Sequence, residues 1–405
     1  VLGIGHRRVR RRRRRECGGG GDSFVGSGQN NQACDGWSAI AGGYQNAISK
    51  SISPSVGDGF IGGGEFNVLT GVESNSAIVA GNTNEVSNDN SAVVGGTANS
   101  VAATKSLVGG GDSNTIAAAG TDAAIVSGYQ NNLSGGYGFI GGGSTNTLSG
   151  TYGVIAGGIN NNVSAVKGVI GGGNGNIVSG QAAVVSGGGF NTAGALWATV
   201  PGGQLNVANG QASFAAGYNS NAATTGAFVW SDSASGATQL TSTAANQFLA
   251  RATGGFTFWT NAANTVGATL ASGSGTWASA SDRNLKTDVV QIDDAAVLDK
   301  VARLPIDRWS YKSERGVRHV GPMAQDFYAA FGVGADDKHI TSIDEDGVAL
   351  AAIKALHAEN AMLRARLAAV TASQDLRAQQ QARRDVAMQR ELQYLSVEVS
   401  SLRGR

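Results

Sequence analysis

The sequence predicts a mostly β chain: a parallel β-roll, or solenoid, of coils about 15 residues long, followed by an α+β segment that ends in a long helix. Three observations carry this expectation. An asparagine returns at a near-constant interval, an aliphatic residue keeps a fixed distance ahead of it, and the composition changes abruptly at Ser281.

The asparagines are Asn31, Asn46, Asn67, Asn84, Asn99, Asn114, Asn131, Asn146, Asn161, Asn176, Asn191, Asn206 and Asn221, and nine of the twelve intervals between them are 15 residues. The exceptions are 21, 17 and 17. Six residues before each anchor stands Val or Ile, as in Ile61, Ile140 and Ile155, with one exception in thirteen units. Three before it stands Gly in every unit but the last, and two after it an aliphatic residue or Ala returns, as in Ile48, Leu133 and Val178.

Such a unit is too short for a pair of helices, and its apolar positions do not follow the i, i+3, i+4, i+7 helical pattern. Two strands of about five residues joined by tight turns fit it, with branched residues inward and Gly and Asn supplying positive φ at the turns. Stacking coils at about 4.8 Å pairs every backbone group with the next coil, so that thirteen coils make a rod of about 60 Å. That pairing offsets the conformational entropy lost by a chain of 405 residues with 62 glycines. The three longer intervals are expected to form loops on one edge.

Collagen is excluded because only four prolines occur and Gly does not recur at every third position. Charge is very uneven: residues 281 to 405 hold 36 of the 59 charged side chains. Eight of the others are arginines between Arg7 and Arg15, a run without interleaved aromatics, so no nucleic-acid partner is expected. Two cysteines, Cys17 and Cys34, are too few for a disulfide framework, and the four histidines stand in no ligand spacing. No metal or other cofactor is expected. No run of 18 apolar residues occurs and the start has no signal-peptide pattern, so no integral membrane helix is expected and the export route is not legible.

The recurring Ile/Val-x-Gly-Gly-x-x-Asn pattern, as in Ile155-Ala156-Gly157-Gly158-Ile159-Asn160-Asn161, resembles the head repeats of trimeric autotransporter adhesins, the YadA-like left-handed parallel β-roll. The resemblance covers about residues 22 to 230. It implies a homotrimer in an extracellular setting, on a cell surface or a virion fibre, with a host-surface glycan or protein as receptor. Solenoid rods also occur as glycan-cleaving tailspikes, whose chemistry needs a pair of carboxylates. Between Asp122 and Asp232 there is no Asp, Glu or His, so that half of the repeat region has no acid–base pair.

Residues 1–21 read as a basic, Gly-rich tail, and residues 231–280 as a β-rich connector carrying Phe248, Phe256, Phe258 and Trp259. At Ser281 the chain turns charged and helical, opening Ser281-Asp282-Arg283-Asn284-Leu285-Lys286. A serine hydroxyl becomes a nucleophile when a base takes its proton, and a lysine can be that base. Alone, such a pair is in most proteins a helix cap and a surface charge.

The opening is followed by Arg318-His319-Val320-Gly321-Pro322-Met323-Ala324-Gln325-Asp326-Phe327, then Ile343-Asp344-Glu345-Asp346-Gly347, and a helix from about Leu350. Together these motifs resemble the intramolecular chaperone of phage endosialidases and tail fibres, the self-cleaving peptidase S74 family, over residues 281–365. The resemblance implies Ser281 as nucleophile, Lys286 as its base and a cut between Ala280 and Ser281, a single-turnover self-cleavage with no external substrate; the alternative is an uncleaved structural fibre whose C-terminal module stays attached as a trimeric cap. It fixes no chemistry for Asp282, Arg283, His319 or Gln325; for His319 a structural hydrogen-bonding role is favoured.

Within residues 350–370, Ile353, Leu356, Asn360, Leu363, Leu367 and Val370 have the 3-4 spacing of a coiled coil, and a second run from Met388 to Leu402 has it in a shifted phase. Residues 366–405 are therefore expected to be a coiled-coil helix, with a helical hairpin as the alternative.

Overall fold

The computed structural model describes residues 22–49, 58–70, 75–234 and 236–403. The basic tail, Cys17 and the insertions behind the first two long intervals lie outside the described residues. The chain forms two compact units that join in sequence at the Ala280–Ser281 bond.

The first unit is a parallel β-solenoid. One sheet has 15 strands, from Phe24–Val25 to Phe248–Arg251, and the other has 14, from Gln32–Ala33 to Leu240–Thr241; chain order alternates between them. Register follows the repeat: Ile125 pairs with Ile140 and Ile140 with Ile155 in the first sheet, while Leu133 pairs with Leu148 in the second. A third line of parallel bridges runs from Gln29 through Tyr44 and Ser144 to Tyr218. The parallel pairing continues through the connector as far as Arg251.

Most strands are two residues long rather than the expected five. The cause is a third corner in each coil. Around Asn131, for instance, Gly128 (φ 121°) and Gln130 (φ 53°) bend the chain between the two sheets, and Tyr137 (φ 56°) bends it back. Fifteen residues divided among three corners leave no longer straight run. The 17-residue interval between Asn114 and Asn131 places its extra residues at one of these corners, where the Gly120 amide donates to the Ala117 carbonyl at 2.8 Å.

Both expected aliphatic columns are fully buried, from Ile40 to Val200 before the anchors and from Ile48 to Ala208 after them. Each buried Val, Leu or Ile contributes about 1.5–3 kcal/mol. The anchor asparagines also lie inside, and this differs from the sequence expectation, which put them at turns for their positive φ. The residue before each anchor takes that conformation instead, as Gln45, Phe66 and Thr83 do.

The anchor side chains form a continuous ladder. Asn146 has no solvent-exposed surface. Its Nδ2 donates to Asn131 Oδ1 at 3.0 Å, to Gly142 O at 3.1 Å and to Gly158 O at 2.9 Å, while its Oδ1 accepts the Asn161 amide at 3.0 Å. Each amide group thus ties its own coil to the coil on either side. Gly143, three residues before Asn146, must be glycine for two reasons: its φ is +90°, and a Cβ there would sit 2.0 Å from Gly158 O. At the ladder's end the expected anchor Asn221 is replaced by Ser220, whose amide donates to Asn206 Oδ1 at 3.0 Å. Gly217, three residues before Ser220, was the legible sign of this register.

The two sheets differ on their outer surfaces. Outward positions of the first sheet are almost wholly apolar, as in Phe60, Val79, Val94, Val126, Phe139 and Val154, and the face ends in stacked Phe214, Phe228 and Phe248 with ring centres 4.6 and 4.7 Å apart. The second sheet is mixed, presenting Glu85, Ser100, Thr115, Asn132, Thr147 and Asn162 but also Ala47, Val68, Ile177 and Val207. A three-stranded antiparallel sheet, Gly255–Trp259, Gly267–Ala271 and Trp277–Ser279, closes the unit, and the Ala280 amide donates to Gly267 O at 3.1 Å.

After the last full coils, Asp232 accepts hydrogen bonds from the Thr253 hydroxyl and amide and pairs with Arg251 at 3.4 Å. The Thr253 contacts, assisted by Arg251, hold its carboxyl below the ordinary carboxylate range. A depressed folded-state value stabilises the fold above the unfolded value, and that contribution is lost as pH falls through the folded one.

Two predictions follow from the packing. Asn146→Ala leaves the Asn161 amide and the Gly142 carbonyl without their side-chain partner and should destabilise the solenoid by on the order of 2–4 kcal/mol. The neighbouring exposed Asn162→Ala should change stability by less than about 0.5 kcal/mol. Equal thermal midpoints for the two variants would remove the ladder as a stabilising element. Separately, Asp232→Asn should lower the melting temperature at neutral pH, with the difference from the unsubstituted chain vanishing in acid; a constant difference at all pH values would contradict the linkage.

Candidate active site

The second unit starts with a single turn of 3-10 helix, Arg283–Leu285, and nothing in that turn is buried. Local hydrogen bonds therefore set its shape. Asp282 Oδ1 accepts from the Asn284 amide at 2.9 Å and from Asn284 Nδ2 at 3.1 Å. The Leu285 amide donates to Asp282 O at 3.2 Å and the Lys286 amide to Arg283 O at 3.1 Å. This turn folds the five-residue spacing back on itself, and Lys286 Nζ donates to Ser281 Oγ at 2.7 Å. Fully extended, the same spacing would reach about 17 Å.

Three helices and one hairpin make up the rest. Helix α1 (Asp294–Arg303) is capped by Asp293, whose carboxylate accepts the Ala295 and Ala296 amides. Helix α2 (Ala324–Phe331) ends at Gly332 in the left-handed conformation, φ 64°. Helix α3 (Ser342–Arg403) starts eight residues before the expected Leu350, because Thr341 and Asp344 form a reciprocal cap: the Asp344 amide donates to Thr341 Oγ1 and that hydroxyl to Asp344 Oδ2 at 2.7 Å. It runs without a break, so the hairpin alternative does not hold.

Helix α1 contacts α3 near Ala351, Ala352 and Ala355, the buried residues of α3, and Lys354 pairs with Asp294 at 2.5 Å. The large apolar side chains of α3 are exposed, among them Ile353, Leu356, Leu363, Leu367, Val370, Leu392 and Leu395.

The remaining sequence-derived residues stand apart from the Ser–Lys pair. His319 belongs to the hairpin Asp307–Trp309 and His319–Gly321. Its ring lies against Trp309 with centres 4.7 Å apart, and Nε2 is 3.3 Å from Glu314 Oε2, the hydrogen-bonded structural placement expected for it. Gln325 occupies the first turn of α2, and Arg283 forms no ion pair among the described residues. No hydrogen bond links His319 or Gln325 to Ser281 among the described residues. Asp336 accepts the Lys338 and His339 amides and the His339 ring, which lower its pKa, but it belongs to a separate exposed loop.

The described residues contain no group of three or more metal-ligating side chains, and none of their helices is long and apolar enough to cross a membrane. What Ser281 and Lys286 can do together is move a proton: an amine at 2.7 Å, when neutral, is in position to accept the hydroxyl hydrogen.

The sequence motif and this geometry meet in one family match. Residues 281–333 match the family model Peptidase_S74, described as the chaperone of endosialidase, and the match begins at the first residue of the second unit. No curated protein is significantly similar to the chain.

Proposed function

We propose that the chain is a fibre-like surface protein whose C-terminal segment, similar to the endosialidase chaperone family, gathers three copies and then cuts itself away at the Ala280–Ser281 bond. The observation that carries this reading is the 2.7 Å contact between Ser281 Oγ and Lys286 Nζ at the first residues of the matched segment.

In the proposed reaction Lys286, as the free amine, takes the Ser281 hydroxyl proton while Oγ bonds to the Ala280 carbonyl carbon. The C–N bond breaks and the proton passes to the departing Ser281 amine, leaving an ester between Ala280 and the Ser281 side chain. Water hydrolyses that ester, giving an Ala280 carboxylate and restoring the Ser281 hydroxyl. The pair is already in contact within one chain, so what assembly adds is cover from water and not the contact itself, and cutting waits for that cover. Both side chains are exposed in the single chain, and cover by neighbouring copies would supply the water exclusion that favours the chemistry.

Two surfaces support association. The outer face of the first sheet is almost wholly apolar while the second is mixed, and so long an exposed apolar face favours a partner surface. The exposed seam Ile353, Leu356, Asn360, Leu363, Leu367 and Val370 on α3 has coiled-coil spacing, with Asn360 as the single polar position that fixes register. A C-terminal coiled coil would bring three chains into register before the slow, non-local sheet packing begins. Cutting then removes the nucleus through which the fibre formed, leaving it kinetically trapped. An extracellular location and a glycan or protein receptor complete the proposal, with the polar side chains of the second face and the corners as contact surface.

Ser281→Ala and Lys286→Met should each leave an intact 405-residue chain that still associates, whereas the unsubstituted chain yields a fragment whose N-terminal residue is Ser281. A fragment starting elsewhere, or cutting by Ser281→Ala, would point to another nucleophile or an outside protease. Leu356→Asp places a charge in the seam and should abolish both assembly and cutting. A normal fibre from that variant would exclude α3 as the gathering element.

A further inference from the structure

We infer that Asp282 is the positioning residue of the Ser281–Lys286 pair, acting through its side-chain cap on the 3-10 turn and not through its charge. The inference rests on the cleavage reading above and adds what holds the pair together. Four hydrogen bonds define the turn, and two of them end on Asp282 Oδ1. Asp282 has the extended backbone of a cap residue, φ −64° and ψ 134°.

No buried side chain lies between Ser281 and Ile292, so packing cannot substitute for the cap within this unit. Arg283 and Leu285 are exposed as well, which leaves the carboxylate as the side chain that keeps the turn closed. Asp282 forms no ion pair with Lys286, the feature that a purely electrostatic role would require. Asn284 completes the device: its amide and its side chain both point at one oxygen, so the segment Ser-Asp-Arg-Asn-Leu-Lys encodes nucleophile, cap, clamp and base in six residues.

Capping depends on an oxygen acceptor two residues before the donor amide, which Asn and Ser also provide and Ala does not; Glu keeps the charge with a longer arm and caps poorly. The two roles therefore predict opposite rescue patterns.

The test follows the cut in the full chain during cell-free synthesis, as the fraction of C-terminal fragment against time, with native gels reporting association. Asp282→Ala should slow cutting about five-fold or more, the population change that loss of a cap produces. Asp282→Asn and Asp282→Ser should restore most of the rate, Asp282→Glu should not, and all four should associate normally. Rescue by Glu but not by Asn or Ser would replace the cap with a charge effect, and an unchanged rate for Asp282→Ala would overturn the inference. Absence of cutting in the unsubstituted chain would instead overturn the cleavage reading itself.

Discussion

The solenoid depends on one constraint: every coil of this Gly-rich chain must hand its unpaired groups to the next coil. The backbone does so along three lines of parallel bridges. At the corners, where strands are too short to complete a sheet, the asparagine ladder does it with side chains, each amide bonded to its own coil and to both neighbours. A buried amide without these partners would be costly; with them it fixes the register of a stack whose aliphatic columns alone could slide by a coil. The glycine three residues earlier lets the corners approach closely enough for the amides to meet.

Much of this was legible because a repeat states its constraint many times. The inward columns, the parallel class and the stacking interval follow directly from the spacing of Asn, Val/Ile and Gly. The asparagine's role did not follow, since a turn and a buried ladder both favour the same amide. The residue that does adopt positive φ varies among Gln45, Phe66, Thr83 and Leu205, so its identity carries no signal. The early start of α3 was written in Thr341 and Asp344, a cap pattern overshadowed by the Gly347 inside the helix.

The site was legible to a different degree. Ser281 and Lys286 were singled out by type and order, but a five-residue spacing gives no distance without the intervening conformation. That conformation is set by Asp282 and Asn284, whose contribution is local geometry and leaves no trace in periodicity. His319 was placed by its surroundings: a ring stacked on Trp309 and paired with Glu314 belongs to the hairpin's own packing.

The two units divide the work. The first carries a long apolar face and almost no charge in its second half, while the second carries most of the charge and an exposed helical seam. Native mass spectrometry of the freshly expressed full chain tests the joint account most directly, because it reads stoichiometry and covalent state in one spectrum. The account predicts a species with the mass of three chains ending at Ala280, free of or loosely joined to the fragment beginning at Ser281. A population of uncut single chains would contradict it.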